Sequence, residues 1–302
     1  MINTEFNTIL DLLKAFPDEE TCIKHLEELR WGGHVVSPFD PTSKVYTYKG
    51  HRYKCKNTDK YFNVKTQTLF DNTKVKLQKW FLAIFLVTGH KKGISSVQLA
   101  KDIGVTQKTA WFMLHRIRNC FGMDIDLTGT VEIDETYVGG KDKNRHANKR
   151  KHDFGGHEKA PVIGMVERGG NVIAKQVRDT KARTLKPVIG EHVKPGSQVF
   201  TDESVAYKPL HRVYDHKFVK HNAGEYVNGA IHTNSIENFW SLLKRGIIGI
   251  YHFTSVKHLQ NYVDEFAFRY NARDLSQTNR MNLMLSSLEH RLTYKQLIND
   301  QG

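Results

Sequence analysis

The sequence predicts an α/β domain that follows a small β module and an all-α module. From Thr130 onward, strand-like and helix-like patterns alternate, which is typical of an α/β fold. Short aromatic-rich runs between residues 35 and 70 indicate small strands, and two capped helical patterns follow between residues 94 and 118. We therefore divide the chain into four segments: 1–73, 74–124, 125–275 and a C-terminal helix in 276–302.

The composition favours a polyanionic partner. The 302 residues include 45 Lys+Arg against 32 Asp+Glu, a formal net charge of +13 that is spread along the chain. No apolar run of about 18 residues occurs, so no membrane association is expected, and the N-terminus lacks a signal-peptide pattern. Three distant cysteines, Cys22, Cys55 and Cys120, predict reduced thiols. These features together predict a cytoplasmic protein.

The first segment predicts two helices and then a strand module. Helical spacing in residues 3–30 breaks near Pro17, and Asp18 begins the second helix. The strands that follow resemble the zinc ribbon of many insertion-sequence transposases, but of its two CxxC pairs only Cys55 is left. Because a structural zinc site needs four ligands, we expect no zinc and a ribbon held by aromatic residues. His34 and His51 are the alternative ligands.

Residues 75–87 predict a buried helix, and residues 94–118 then predict a helix-turn-helix. Gly104 allows the tight turn, and Thr106 caps the second helix. A helical hairpin that serves only packing would need the same features. Donor side chains on the second helix favour DNA binding, and we expect them to face outward: Gln107, Lys108, His115, Arg116 and Arg118.

Two acidic residues lie at the ends of predicted strands in the α/β segment. Asp134 is near the end of a strand at Thr130–Glu135, and Asp202 follows a strand at Gln198–Phe200. Between them the pattern predicts two more strands and a helix: Val162–Val166, Val172–Val177 and Arg183–His192. Strand ends of this kind bring side chains from distant parts of a chain together.

A helix that begins near Asn234 carries a third acidic residue. Ile236, Trp240 and Leu243 form an apolar face, whereas the opposite face is polar: Asn234, Glu237, Ser241 and Lys244. Isolated acids are usually solvated surface residues, but this ordered set is more specific. Carboxylates of Asp134, Asp202 and Glu237 would suit two Mg²⁺ ions, with Mn²⁺ as the alternative metal. Lys244 would contact a DNA phosphate.

Several segments resemble the ISXO-like group of insertion-sequence DDE transposases: VEIDETYVGGK, TDES, HTNSIENFWSLLKRGIIGIYHF and LQNYVDEFAFRYNAR. The resemblance spans roughly residues 20 to 275 and implies an RNase H-like fold in a bacterial, nucleoid-associated protein. It implies Asp134, Asp202 and Glu237 as metal ligands and Lys244 as an accessory positive residue. Some members of the group use Asn as the third residue, so Asn234 stays an alternative to Glu237.

Further basic residues predict DNA contacts. The segment after the first acidic strand contains Lys141, Lys143, Arg145, Lys149, Arg150 and Lys151, and Arg245 follows Lys244 on the predicted helix. A solvated loop is the alternative interpretation of this basic segment. Helical patterns also occur at Val256–Tyr270, which should pack on the sheet, and at Asn282–Ile298, whose role the pattern does not indicate.

The leading hypothesis is a transposase that binds terminal inverted repeats of double-stranded DNA, cleaves the strands and joins them to target DNA. Because two ends must be paired, we expect a homodimer or a larger assembly on DNA. A nuclease that cuts without joining and a non-catalytic DNA-binding regulator are the alternatives. The retention of all three acidic residues and Lys244 disfavours the regulator.

Overall fold

The structure is a computed structural model that describes residues 5–122, 125–139, 159–219 and 232–299. Packing divides the chain into two units, one of Met1–Phe121 with Asp274–Gly302 and one of Gly122–Arg273. The last segment therefore belongs to the same unit as the first two, because its helices pack on theirs. No helix within the described ranges is long and apolar enough to span a membrane.

The first unit is built around one buried apolar helix. Helices α1 (Ile9–Ala15) and α2 (Glu19–Trp31) are capped by Thr8 and Asp18 and precede α3 (Leu77–Gly89), as the sequence predicts. Two C-terminal helices, α9 (Gln277–Leu285) and α10 (Tyr294–Asn299), replace the single helix predicted at 282–298. Gln277 of α9 donates a hydrogen bond to the Phe85 carbonyl of α3 at 2.7 Å, which helps to fix these helices in the unit.

The predicted β module is a three-stranded antiparallel sheet in the order β1-β2-β3. Its strands are β1 (Val45–Tyr48), β2 (Arg52–Cys55) and β3 (Tyr61–Phe62). The inner face buries Tyr53, Cys55 and Phe62 against Trp31 and Phe39, so aromatic side chains form its core. Ser37 and Thr58 lie beside the buried Cys55 thiol.

Two helices with a tight turn between them occupy the predicted helix-turn-helix segment. Helix α4 (Ser96–Ile103) ends at Gly104, whose φ of 62° is the left-handed conformation that favours glycine. Thr106 then caps α5 (Gln107–Arg118). The geometry is compatible with either a DNA-binding pair or a packing hairpin.

The second unit contains a five-stranded mixed sheet in the order β6-β5-β4-β7-β8. Strands β4 (Thr130–Val138), β5 (Ala160–Glu167) and β6 (Val172–Gln176) are antiparallel neighbours. Strands β7 (Gln198–Thr201) and β8 (Asp215–Phe218) run parallel to β4. The α/β fold class is therefore confirmed, although β8 was not predicted, because its sequence DHKF has only one large apolar residue.

Helices cover both faces of this sheet. Helix α6 (Ala182–His192) and a 3-10 helix (Val205–Arg212) pack on one face, where Val131 and Ile133 of β4 point. Helices α7 (Asn234–Gly246) and α8 (Leu259–Asn271) pack on the other face. Because side chains alternate along a strand, Glu132 and Asp134 of β4 point to the opposite face, toward α7.

Candidate active site

The two strand-end acidic residues belong to neighbouring parallel strands: Asp134 lies in β4, and Asp202 directly follows β7. Glu132 of β4 is paired with Phe200 of β7, and continuing this register by two residues brings Asp134 opposite Asp202. Both side chains are half-buried. The Asp202 Oδ1 atom accepts a hydrogen bond from the Ser204 backbone N–H at 2.9 Å, which orients the carboxylate at the start of the next loop. The parallel pairing of β4 with β7 thus brings two acidic residues that are distant in sequence to the same end of the sheet.

Helix α7 approaches the sheet directly over Asp134. The Trp240 Nε1–H donates to Asp134 Oδ2 at 3.0 Å. On β5, the residue paired with Asp134 is Gly164, where a Cβ atom would lie 2.6 Å from the side chains of Ile236 and Trp240. Only a residue without a side chain allows the helix to come this close. Gly164 is a site residue that the sequence analysis missed.

The polar face of α7 carries the remaining predicted catalytic residues. Glu237 is exposed in the first turn and accepts a hydrogen bond from the Thr233 hydroxyl at 3.1 Å. Asn234 is exposed one turn earlier, and Lys244 and Arg245 are exposed in the last turn. The Arg245 Nε–H donates to the Ser241 carbonyl at 3.0 Å. All four side chains are therefore open to a ligand on this face.

The carboxylates at the end of β4 lie close enough together to raise the pKa of Asp134 and of Glu135. Burial raises the pKa of Asp134, and the negative charges of Asp202 and Glu237 raise it further. Burial also raises the pKa of Glu135 to about 7, and Asp202 and Asp134 contribute to that rise. In the part of the chain that the structure describes, no Lys, Arg or His forms an ion pair with Asp134 or Asp202.

The donor chemistry of this cluster fits a hard divalent cation, since ionised carboxylates are the ligands that Mg²⁺ and Mn²⁺ prefer. Within the described ranges, no three His, Cys, Asp or Glu side chains converge closely enough to form a ready metal site. The charges of Asp134, Asp202 and Glu237 nevertheless influence one another, as the raised pKa of Asp134 indicates.

A fourth acidic residue on β4, Glu132, is fully buried and is ion-paired with Arg168 at 2.7 Å. Its carboxylate also accepts the backbone N–H groups of Ser235 and Ile236, at 2.7 and 3.1 Å. These are donors at the start of α7, whose preceding residue Thr233 makes no capping bond of its own. Strand alternation alone could have placed Glu132 on the face of Asp134, but its partners could not be read from the sequence.

A cavity of about 300 Å³ opens beside Asp202, between β8 and the 3-10 helix. Burial, together with the neighbouring His211, lowers the pKa of His216, whose ring lies 2.9 Å from the Thr201 hydroxyl. The wall combines a cation, histidines and an aromatic ring next to a candidate catalytic carboxylate. Its lining residues are Asp202, Glu203, Ser204, Lys208, His211, His216 and Phe218.

Three of the predicted DNA-binding residues face inward, which corrects the sequence-based expectation. His115, Arg116 and Arg118 are buried, because the last turn of α5 is enclosed on all sides. Arg116 donates to the Asp71 carbonyl at 2.7 Å and lies over the Trp80 ring. These three side chains therefore pack inside the first unit and do not face outward.

Gln107 and Lys108 are exposed at the start of α5, in agreement with the expectation for them. Gln107 donates to the Ser96 hydroxyl at 2.8 Å, and the Lys108 ammonium lies 5.2 Å from the centre of the Tyr294 ring. The six basic residues predicted to bind DNA between Lys141 and Lys151 lie outside the described residues.

Comparison with known proteins identifies a family. The profile of the ISXO2-like transposase domain matches residues 126–271. An uncharacterized protein in transposable element ISH50 of Halobacterium salinarum is 31% identical over 253 residues, which cover 77% of this chain and 84% of that protein. An uncharacterized transposase-like protein of Haemophilus influenzae is 29% identical over 102 residues, 33% of this chain and 80% of its own.

Two solved structures show only a remote likeness. The Mos1 strand transfer complex matches with 11% identity and a TM-score of 0.29, over 70% of this chain and 78% of that chain. A pre-cleavage Mos1 transpososome matches with 12% identity and a TM-score of 0.24, over 66% and 75% of the two chains. TM-scores this low do not define a common fold.

Proposed function

The chain belongs to the family of ISXO2-like transposases, and on this basis we propose that it cleaves and joins DNA strands at the ends of an insertion sequence. The observation that carries the proposal is that Asp134 on β4 and Asp202, directly after the neighbouring parallel strand β7, interact electrostatically beside a helix that presents Glu237. The sheet order supports an RNase H-like core for this unit. A homodimer or a larger assembly would pair the two ends.

Asp134, Asp202 and Glu237 would hold Mg²⁺ or Mn²⁺, two ions per site. When bound, such ions activate the attacking oxygen and stabilise the leaving oxygen of a phosphodiester. The chain's other residues would orient these carboxylates and bind phosphates. Trp240 holds the Asp134 carboxylate by its N–H, and Thr233 holds that of Glu237 by its hydroxyl. Lys244 and Arg245, exposed on the same helix, would bind backbone phosphates beside the acids.

DNA would also contact the first unit through the exposed Gln107 and Lys108, if α4 and α5 act as a helix-turn-helix. The cavity beside Asp202 offers Lys208 for a phosphate and the half-exposed Phe218 ring for a nucleobase. The basic segment from Lys141 to Lys151 adds positive charge after the first acidic strand. These contacts would position a strand by its backbone, with little direct reading of its sequence.

Strand cleavage and joining by the purified protein tests the proposal. The substrates are duplexes that end in the repeats flanking the element, incubated with Mg²⁺ or with EDTA, and Asp202→Asn is the comparison variant. Metal-dependent nicks and joined products that disappear in the variant would support a transposase. Nicks without joined products would indicate a nuclease, and binding without cleavage would indicate a regulator.

The third ligand can be assigned by two variants of α7. We expect Glu237→Gln to abolish metal-dependent cleavage, because a neutral amide binds Mg²⁺ more weakly than a carboxylate. Asn234→Ala, one turn earlier on the same exposed face, should retain most activity. Activity that survives in Glu237→Gln and is lost in Asn234→Ala would transfer the role to Asn234.

A further inference from the structure

We propose that Glu132 is a positioning residue, which fixes the start of α7 so that Glu237 faces the acidic strand ends. This inference rests on the proposed function for its catalytic meaning, although its structural part can be tested without catalysis. Glu132 is two residues before Asp134 on the same face of β4, and it is completely buried. A carboxylate in such a place is costly unless it is fully paired.

The pairing of Glu132 connects three elements. Arg168, directly after β5, donates its Nε–H to Glu132 at 2.7 Å and another N–H to the His232 carbonyl at 2.8 Å. The guanidinium also lies 4.6 Å from the centre of the Phe200 ring of β7. The His232 ring lies 3.3 Å from the same carboxylate. Arg168 and Glu132 thereby fasten the segment that leads into α7 to the central strands.

The other contacts of Glu132 replace a helix cap. An α-helix leaves its first backbone N–H groups without internal partners, and a side chain just before the helix usually accepts them. In α7 the second and third residues, Ser235 and Ile236, donate instead to Glu132, more than 100 positions away in sequence. A negative charge at this helix end is also favoured by the helix dipole. The next residue along the helix is Glu237.

Amide hydrogen exchange of the metal-free protein tests directly whether Glu132 holds the start of α7, a contact that we call the Glu132 clamp. Glu132→Gln keeps the size of the side chain but removes the charge and adds donors that oppose the Ser235 and Ile236 N–H groups. We expect exchange of peptides from the start of α7 to accelerate at least roughly tenfold, which corresponds to about 1.4 kcal/mol of local stability. Unchanged protection there would contradict the inference.

Glu265→Gln is the matched control. Glu265 is also fully buried in the second unit, and it is ion-paired with Arg269 at 2.6 Å and bonded to the Tyr251 hydroxyl at 2.5 Å. It should lower the melting temperature as Glu132→Gln does, but leave protection at the start of α7 unchanged. If both variants accelerate exchange there equally, Glu132 contributes only general stability and the positioning role is wrong.

A second readout concerns the metal requirement in the cleavage assay. If Glu132 positions Glu237, Glu132→Gln should raise the Mg²⁺ concentration for half-maximal cleavage several-fold with little change in DNA affinity. Glu265→Gln should leave that concentration unchanged. If Glu132→Gln alters exchange at the start of α7 but the wild-type protein cleaves no DNA, the proposed function is refuted and the structural role of Glu132 stands. An unchanged Mg²⁺ requirement in an active Glu132→Gln protein would refute the positioning role.

A separate observation in the first unit concerns the outer face of the sheet β1–β3, from which we infer a DNA-binding surface. The strand register places five residues on this face: Tyr46, Tyr48, Arg52, Lys54 and Tyr61. The three tyrosines are 41–46% exposed, whereas the opposite face is the aromatic core. Arg52 lies 4.0 Å from the centre of the Tyr61 ring, and Tyr48 packs edge-on against it.

The positive charge of this segment favours a polyanionic partner. Residues 44–60 contain six Lys or Arg against one acidic residue, Asp59, which is ion-paired with Lys54. Cations interleaved with exposed aromatic rings can bind backbone phosphates and stack on bases. The occupant we infer is a DNA strand, as the proposed function requires, although binding can be measured whether or not the protein cleaves DNA.

Salt-dependent binding tests this surface. The full chain is titrated with a labelled 30-base-pair duplex of arbitrary sequence, and the logarithm of affinity is plotted against that of salt concentration. The test variant is Lys44→Ala/Arg52→Ala, since the Lys44 ammonium lies 5.6 Å from the centre of the Tyr46 ring on this face. It should reduce the slope by about 2, because each phosphate contact contributes about 0.9. Lys14→Ala/Lys24→Ala removes the same charge from exposed sites on α1 and α2 and should change the slope by less than about 0.5. Equal effects of both pairs would refute the surface.

Tyr48→Ala distinguishes base stacking from phosphate binding when duplex and single-stranded DNA are compared as ligands. If bases stack on the face, this variant should weaken binding of a 30-nucleotide single strand roughly tenfold, with a smaller effect on the duplex. If only phosphates are bound, Tyr48→Ala should have little effect on either ligand, while Lys44→Ala/Arg52→Ala weakens both. Both results support a DNA surface, whereas intact binding of both ligands in the charge variant would exclude it.

Discussion

Strand β4 carries two acidic residues on one face, and their surroundings are opposite. Glu132 is buried and is satisfied by Arg168 and by backbone N–H groups at the start of α7. Asp134, one strand repeat later, accepts a hydrogen bond from Trp240, and its charged neighbours are other carboxylates. The first arrangement stabilises the fold, whereas the second leaves negative charge that a cation would neutralise.

The difference shows that burial alone does not identify a functional acid. The fully buried carboxylate has protein partners for its oxygens and holds two elements together, as buried charges generally must. The half-buried one has a raised pKa, because water is displaced and Asp202 and Glu237 add like charge. What separates a positioning residue from a candidate metal ligand is the sign of the charges around it.

Neutralising Asp134 should have the largest effect on activity and should not harm stability. Asp134→Asn is expected to reduce cleavage roughly a thousandfold, since a metal ion contributes several kcal/mol to such reactions. Without metal, the variant should melt at the same temperature as the wild type or higher, because the folded state disfavours the ionised carboxylate. Cleavage rates and thermal melts measure the two quantities.

The same comparison has a definite pH dependence. The pKa of Asp134 in the folded state lies above its ordinary value of 3.8, so its ionisation destabilises the fold as pH rises through this range. The stability advantage of Asp134→Asn over the metal-free wild type should therefore be absent at low pH and appear on raising the pH. A variant that is less stable than the wild type at neutral pH would contradict this account of the acidic end.

Removing the partner of Glu132 should have the largest effect on stability. Arg168→Gln leaves the fully buried carboxylate of Glu132 without its Arg168 partner. Removing one partner of a buried ion pair lowers the free energy of unfolding by about 3 to 5 kcal/mol. Denaturant unfolding measures the loss. The double variant Glu132→Gln/Arg168→Gln should recover part of it, because the buried charge is then gone. Strictly additive losses would show that the two side chains do not form a coupled pair.

The close approach of α7 to the sheet gives a smaller effect. Gly164→Ala should destabilise the protein by about 1 to 3 kcal/mol, because the new methyl group would overlap Ile236 and Trp240. Cleavage should fall as well, since Trp240 holds Asp134. Gly190→Ala is the control, as its helix α6 leaves open space at that position. It should be neutral or stabilising by up to about 1 kcal/mol.

Much of the fold could be predicted because local patterns determine it. The strands at β4 to β7 have apolar runs, and the caps at Asp18 and Thr106 occur where helices begin. Strand β8 and the break between α9 and α10 could not be predicted in this way. The short strand DHKF is specified by its parallel pairing with β7, a tertiary contact that no local window contains.

The candidate site was only partly predictable, for the same reason. The order and spacing of Asp134, Asp202 and Glu237 indicate their association, and their assignment as metal ligands stays a prediction. The clamp of Glu132 depends on Arg168 and α7, which lie far along the chain. Arg118 was expected to face DNA, but the last turn of α5 is buried all round, and charge alone does not indicate which side of a helix is enclosed.

The most direct test of the central claim is a Mn²⁺ titration of the purified protein, with free Mn²⁺ followed by electron paramagnetic resonance. Wild type, Asp134→Asn and Glu265→Gln should be compared in the presence of the same DNA end. If the acidic end of β4 is the metal site, wild type and Glu265→Gln will bind Mn²⁺ and Asp134→Asn will not. Equal binding by all three proteins would contradict the claim.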